Sequence, residues 1–162
     1  MVTVRDGVAS DAEGCRAIYA PFVTETWVSF EEEVPSVREM RRRIEGYGES
    51  HGFVVAEIDG TIAGYAYGSP HRLREAYRYS CDVAIYIDPA HAGEGVGRAI
   101  YDTLLPRLAE RGMHAAFAGI ALPNDASIAL HEAAGFTKIG VYREVGFKFG
   151  EWRDVGWWQK VL

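Results

Sequence analysis

A chain of 162 residues, 48% of them apolar and 25% charged, has the size and composition of one globular domain with a real core, not of a disordered segment. The formal net charge of −6, with no stripe of lysine and arginine, disfavours a nucleic-acid partner, and the one basic run, Arg41-Arg42-Arg43, lies in an acidic helix-like segment as a solvated face. Cys15 and Cys81 lack metal-site spacing, and no segment reaches the roughly 20 apolar residues of a membrane span or shows a leader pattern; no metal, reduced thiols and a cytoplasmic location are expected.

Val2 to Arg5 alternates like a short strand. Ser10-Asp-Ala-Glu13 has the form of a capping box and predicts a helix carrying Cys15, Ile18, Tyr19 and Phe22, bent or shortened at Pro21. Ser36-Val-Arg-Glu39 repeats the start signal for a second helix that ends in GYGES. Two strand-like runs, Phe53 to Ile58 and Thr61 to Tyr67, flank the hairpin dipeptide Asp59-Gly60. After the basic-aromatic stretch SPHRLREAYRYS comes an apolar strand, Val83 to Ile87. A helix from about Arg98 to Arg111 closes on Gly112 and should be distorted at Pro106. A buried strand, Ala115 to Leu122, precedes a helix from Asp125 to Ala134 that Asn124 can cap, and two strands follow, about Thr137 to Glu144 and Arg153 to Val161. The order β-α-α-β-β-β-α-β-α-β-β predicts one mixed α/β sheet in a single domain over residues 1–162.

Between strand Val83–Ile87 and the next helix stand Gly93, Gly95 and Gly97. A strand, a glycine-rich turn and a helix start together aim backbone N–H groups and the positive end of a helix dipole at one point, which is an anion site. A P-loop is excluded, because Arg98 stands where its second glycine belongs and no Lys-Ser/Thr follows; Arg98 also occupies the third glycine position of a dinucleotide fingerprint. Gly95-Val96-Gly97 fits the end of the acyl-CoA turn [QR]-x-x-G-x-[GA].

On these residues the chain resembles the GNAT superfamily of N-acetyltransferases. LPNDASIALHEAAGF, Leu122 to Phe136, is similar to the superfamily's next motif. VGFKFGEWRDVGWWQ and SPHRLREAYRYSCDVAIYI resemble the C-terminus and middle of the phosphinothricin/methionine sulfoximine acetyltransferase subgroup. The resemblance extends over the whole chain. It implies the GNAT acyl-CoA N-acyltransferase fold, a central, mostly antiparallel sheet flanked by helices. It also implies acetyl-CoA as co-substrate, a small-molecule amine as acceptor and a homodimer. Ala92 and Glu94 depart from the motif; if the amides of Glu94, Gly95, Val96, Gly97 and Arg98 bind pyrophosphate, the Glu94 side chain must point outward.

The same resemblance distributes the chemistry. Acyl transfer to an amine needs a base, because amines are mostly protonated at neutral pH. Asp82, at the start of an apolar strand, aligns with the subgroup's general-base glutamate; being one methylene shorter, it favours a relaying water. His131, seven residues after Asn124, stands where the family protonates the departing thiolate. Asn124 and Ser127 fall in the pantetheine-binding motif, and Ile85 and Ile87 would offer backbone N–H groups on a strand that splays from its neighbour. Phe30, Arg72, Arg74 and Tyr77 are expected in the substrate pocket, where Arg72 and Arg74 match basic positions that meet acidic groups in the subgroup. Trp152, Trp157 and Trp158 suit core or dimer surface, and Cys81 has no adjacent base for covalent catalysis. The expected reaction is direct acetyl transfer to a small acidic amino acid or analogue. A GNAT enzyme acting on a polyamine, an antibiotic or a protein N-terminus, and a non-catalytic CoA-binding protein, remain as alternatives.

Overall fold

The computed structural model covers residues 1–162. Its strands are β1 (Val2–Asp6), β2 (Phe53–Ile58), β3 (Thr61–Pro70), β4 (Ser80–Ile87), β5 (Ala115–Ala121), β6 (Thr137–Lys148) and β7 (Glu151–Val161). The helices are α1 (Ala12–Thr24), α2 (Val37–Ser50), α3 (Val96–Glu110) and α4 (Asp125–Ala133). The strands form one seven-stranded sheet in the order β1-β2-β3-β4-β5-β7-β6, in which only the β4–β5 contact is parallel. This is the mixed, mostly antiparallel sheet that the sequence predicts.

Strand periodicity divides the interior into two layers. Phe53, Val55 and Tyr65 face α1 and α2, joining Cys15, Ile18, Met40 and Ile44 in one core. Val54, Ala56, Ala66, Cys81 and Val83 face the other way, onto Val96, Ile100, Leu104 and Leu108 of α3. Both sheet faces are therefore covered, and the alternation in β2 is between two cores.

Local signals explain most boundaries. The Ser36 side chain accepts the Glu39 N–H at 3.0 Å, and Asp59-Gly60 turns the first hairpin with φ of 51° and 77°. The capping box expected at Ser10 does not form. A 3-10 turn, Ala9–Asp11, precedes α1, and the Asp11 carboxylate accepts from the Val8 N–H and from the Arg5 guanidinium, each at 2.8 Å. Arg5 also donates to Glu57 at 2.7 Å, so a charged bridge, not a hydroxyl, ties the start of α1 to β1 and β2. Pro21 and Pro106 sit inside α1 and α3, which continue past them; both prolines are exposed. The last two strands are longer than expected and meet at Phe149-Gly150, both left-handed, with φ of 52° and 74°.

One break in the sheet organises the rest. β4 and β5 pair only at Ser80–Ala115, Cys81–Ala116 and Asp82–Phe117. Beyond Asp82, β4 stays with β3 as far as Ile87 opposite Gly64, and β5 stays with β7 as far as Ala121 opposite Val155. The sheet thus parts into two halves, open at the C-terminal ends of the two parallel strands. The starts of α3 and α4 follow those ends and flank the opening.

Helices α3 and α4 come together over Gly97. A Cβ there would stand 2.8 Å from Leu130 Cδ1 and 2.9 Å from Ile87 Cδ1. Gly97→Val should therefore destabilise the protein by about 1–3 kcal/mol through overpacking, read as a lower urea midpoint at unchanged m-value.

Candidate active site

At the open end of the sheet, a 3-10 turn (Pro89–His91) leads into Gly93 and Gly95, with φ of 78° and 80° and open space where a Cβ would lie. Gly95 is the N-cap of α3 and makes no side-chain cap. The first helical bond runs from the Ala99 N–H to the Gly95 carbonyl, so the amides of Val96, Gly97 and Arg98 have no acceptor within the helix. The Glu94 amide is engaged with the His91 carbonyl, and its half-exposed side chain accepts from His91 Nδ1 at 2.7 Å. The Glu94 carboxylate is thus occupied by His91. Arg98 is largely exposed beside it.

Three cavities lie along the opening, each sharing wall residues with the next. The outermost, about 450 Å³, is walled by Ile85, Ile87, Gly95–Arg98, Asn124 and Ser127. A small space of about 70 Å³ lies in the split itself, between Val83–Tyr86 and Ala118–Ala121, and reaches Asn124, Ser127 and His131. The third, about 730 Å³, opens on the α1 and α2 side, with Asp82, Tyr86, Phe30, Glu31, Arg72 and Tyr142 in its wall. Along the split, alternate backbone N–H and C=O groups of β4 beyond Asp82 have no strand opposite them. Asn124 caps α4 by accepting the Ser127 N–H at 3.2 Å through Oδ1, which leaves its amide nitrogen available as a donor.

Two carboxylates line the large cavity, in contrasting surroundings. Glu31 accepts both nitrogens of the Arg43 fork, at 2.6 and 3.0 Å, and the Tyr19 hydroxyl at 2.7 Å, which together hold its pKa below the ordinary range. Burial pushes the Asp82 pKa up, opposed by His71 and Arg72. His71 Nδ1 and Asp82 Oδ1 are 2.6 Å apart, and the second oxygen of Asp82 has no protein partner. Of two acids in one cavity, Asp82 is the one whose pKa is raised and whose second oxygen has no protein partner.

The structure brings Phe30 and Arg72 into this cavity with Asp82. Arg72 donates to the His71 carbonyl at 2.8 Å and lies 3.5 Å from the Tyr142 hydroxyl. Arg74 and Tyr77 fall outside the cavity wall, on an exposed segment, although the Tyr77 ring lies edge-on to His71 at 6.3 Å. His131 is buried, and both its nitrogens are engaged. Nδ1–H donates to the Ser127 carbonyl at 2.7 Å, which leaves Nε2 to accept the Tyr101 hydroxyl at 2.6 Å. Burial also lowers its pKa and so favours the neutral ring. Expected as a proton donor to a thiolate, His131 presents no free N–H in this arrangement. The sequence signals did not single out His71, Glu31 or Tyr142.

Comparison with known proteins gives the family. Residues 5–157 match the family model for the acetyltransferase (GNAT) domain. The chain belongs to the GNAT acetyltransferase family. It is 38% identical over 165 residues to a phosphinothricin N-acetyltransferase of Streptomyces coelicolor, covering 99% of this chain and 96% of the relative. It is 30% identical over 165 residues to an L-methionine sulfoximine/L-methionine sulfone acetyltransferase of Pseudomonas aeruginosa, covering 99% and 94%. The crystal structure of a phosphinothricin acetyltransferase from Sinorhizobium meliloti, solved with acetyl-CoA, superimposes with a TM-score of 0.94 at 36% identity, over 99% of this chain and 88% of that one. No helix is long and apolar enough to cross a membrane.

Cys81 adjoins Asp82 in sequence but faces the opposite core, fully buried, and burial pushes its thiol up to about 12. The buried Cys15 behaves alike. In the folded protein, neither thiol should react with a thiol-specific disulfide reagent over the time of an activity assay, whereas both should titrate after denaturation. Rapid native labelling of Cys81 would reopen a covalent route.

Proposed function

We propose that this protein transfers the acetyl group of acetyl-CoA to the α-amine of a small acidic amino acid or analogue, of the phosphinothricin or methionine sulfoximine type, by direct attack. The observation that carries this is the position of Asp82. It is a half-buried carboxylate with one free oxygen, at the vertex of a split that lies between the helix-end anion site and a second cavity. The activities of the relatives named above support the same chemistry.

Acetyl-CoA fits the residues present. The unpaired amides of Val96, Gly97 and Arg98, with Gly95, suit the pyrophosphate, and the exposed Arg98 adds positive charge. The unpaired β4 edge at Ile85 and Ile87 suits an extended amide-bearing arm, and Asn124 and Ser127 face it from α4. When bound, acetyl-CoA supplies an activated acyl carbonyl and a thiolate leaving group.

The acceptor enters from the other face. Asp82 takes a proton from its ammonium, directly or through one water, and frees the nitrogen lone pair to form the C–N bond. Of the two protons the nitrogen loses, one leaves through Asp82 and one ends on the departing sulfur. Backbone N–H groups on the β4 edge are the donors nearest the split for the acyl oxygen. Arg72 meets the acceptor's acidic group, and Phe30 packs against its carbon chain. Tyr77 adjoins this wall from outside through His71, and Arg74 stays on the exposed segment beside it. His131 is given a positioning role, fixing the first turn of α4 through Ser127, because neither nitrogen is free to donate.

The protein is further proposed to act in the cytoplasm, as one domain and as a homodimer. Ile139, Val145, Phe147, Phe149 and Trp152 expose an apolar surface on the β6–β7 hairpin that a second copy could cover.

Thiol release should be strong with phosphinothricin and methionine sulfoximine and weak with polyamines; the reverse order would overturn the acceptor class. Asp82→Asn should lower kcat/KM by about 10²–10⁴-fold while acetyl-CoA binding changes less than about twofold by calorimetry. Arg72→Ala should raise KM for the acidic acceptor by about tenfold or more, with a smaller effect on kcat.

A further inference from the structure

We infer that His71 is the positioning residue of the acceptor site: its ring holds one oxygen of Asp82 so that the other stays directed at the acceptor amine. This rests on Asp82 being the base. β3 pairs with β4 through Ser69 opposite Asp82 and Pro70 opposite Cys81, so the chain leaving β3 brings His71 back over the Asp82 side chain. The 2.6 Å contact between His71 Nδ1 and Asp82 Oδ1 has room for a single proton. When Asp82 is the carboxylate that accepts from an amine, that proton resides on Nδ1, and His71 is the donor.

His71 is itself held. Its ring stacks on Phe117, with centroids 4.3 Å apart and planes 18° apart, and meets the edges of Trp157 at 6.1 Å and Tyr77 at 6.3 Å. Phe117 is the residue paired with Asp82 in the last β4–β5 rung, so the clamp sits on the vertex where the sheet parts. The His71 side chain is 14% exposed against 30% for Asp82, and only Asp82 reaches the cavity wall. His71 thus acts through Asp82 and not on the acceptor. An aspartate rotates freely about two bonds, and a misplacement of about 1 Å at a reacting group can cost about 10²-fold in rate.

The charged and titratable groups around the pair are Arg72, which favours ionised Asp82, the neutral buried thiol of Cys81, Tyr77 against the ring, and Glu31 across the cavity in its pair with Arg43. Loss of the His71 donor leaves burial less opposed, so the acid limb of kcat/KM should move to higher pH.

The test uses the full chain with acetyl-CoA and phosphinothricin. It compares His71→Phe, which keeps the stack but has no donor, with His71→Asn, whose amide can replace Nδ1–H. His71→Phe is expected to lower kcat about 10²-fold, leave KM for acetyl-CoA unchanged and shift the acid limb upward, and His71→Asn to restore most of the rate. Should the Phe variant fail to fold by thermal melt, His71→Leu takes its place. Wild-type kcat in the donor-less variant, or equal loss in a folded Asn variant, overturns the role of His71. An active Asp82→Asn enzyme overturns instead the base assignment on which it rests.

Discussion

The parting of β4 from β5 after three paired residues is the constraint on which the site depends. Each strand has a full-length partner on its other side, β3 for β4 and β7 for β5, so the two half-sheets stay intact while their junction opens. A continuous sheet would seal one face from the other. Here the two strands part, and the gap leaves a row of main-chain donors and acceptors without strand partners. Such groups are costly to bury unpaired. A ligand that runs along the split like a missing strand satisfies them, and the amide-bearing arm of a coenzyme has that character.

The same opening explains the uneven treatment of two helix starts. Helix α4 is closed by Asn124, but α3 begins at Gly95 with no cap, and its first amides face the outer cavity. The three glycines serve different ends. Gly93 and Gly95 adopt left-handed backbone that only glycine enters without strain, whereas Gly97 is small because Leu130 and Ile87 press on it. A turn with free helix-start amides and a helix–helix contact share one short motif. The Glu94 carboxylate is taken up by His91, and Glu94 is not part of the outer cavity's wall.

Element order, both hairpin strands, the Ser36 and Asn124 caps and the glycine turn were legible because each is set by residues within a few positions of one another. What escaped depends on partners distant in sequence. Asp11 gives its carboxylate to Arg5, which no capping rule anticipates. β3 runs three residues beyond the predicted Tyr67, to Pro70, and those residues set the register that puts His71 against Asp82. Read as a loop, SPHR hides the contact. Arg72 and Arg74 look equivalent as two basic residues in a polar stretch, yet only Arg72 reaches the cavity wall. His131 occupies its motif position, but its burial against Tyr101 and Phe136 is a property of the packed helices and not of local sequence.

The acceptor wall is built from segments far apart in the chain, and a few contacts make it rigid. Buried Lys148, on β6, donates to the Ser29 carbonyl at 2.5 Å, and the Ser29 hydroxyl meets the Tyr19 hydroxyl, also at 2.5 Å. Tyr19 in turn donates to Glu31, which Arg43 of α2 secures. Between Tyr142 and Gly146 the β6–β7 register shifts, and Gly146 leaves room for the Phe30 ring in close contact. The segment between α1 and α2 is therefore bound to the C-terminal hairpin at Ser29 and Phe30. On the proposed reading, acceptor choice rests on this remote strand as well as on Arg72, because Arg72 and Phe30 stand in the same cavity wall. Glu31, saturated by its partners, lends structure to that wall, and Asp82 keeps one oxygen without a protein partner.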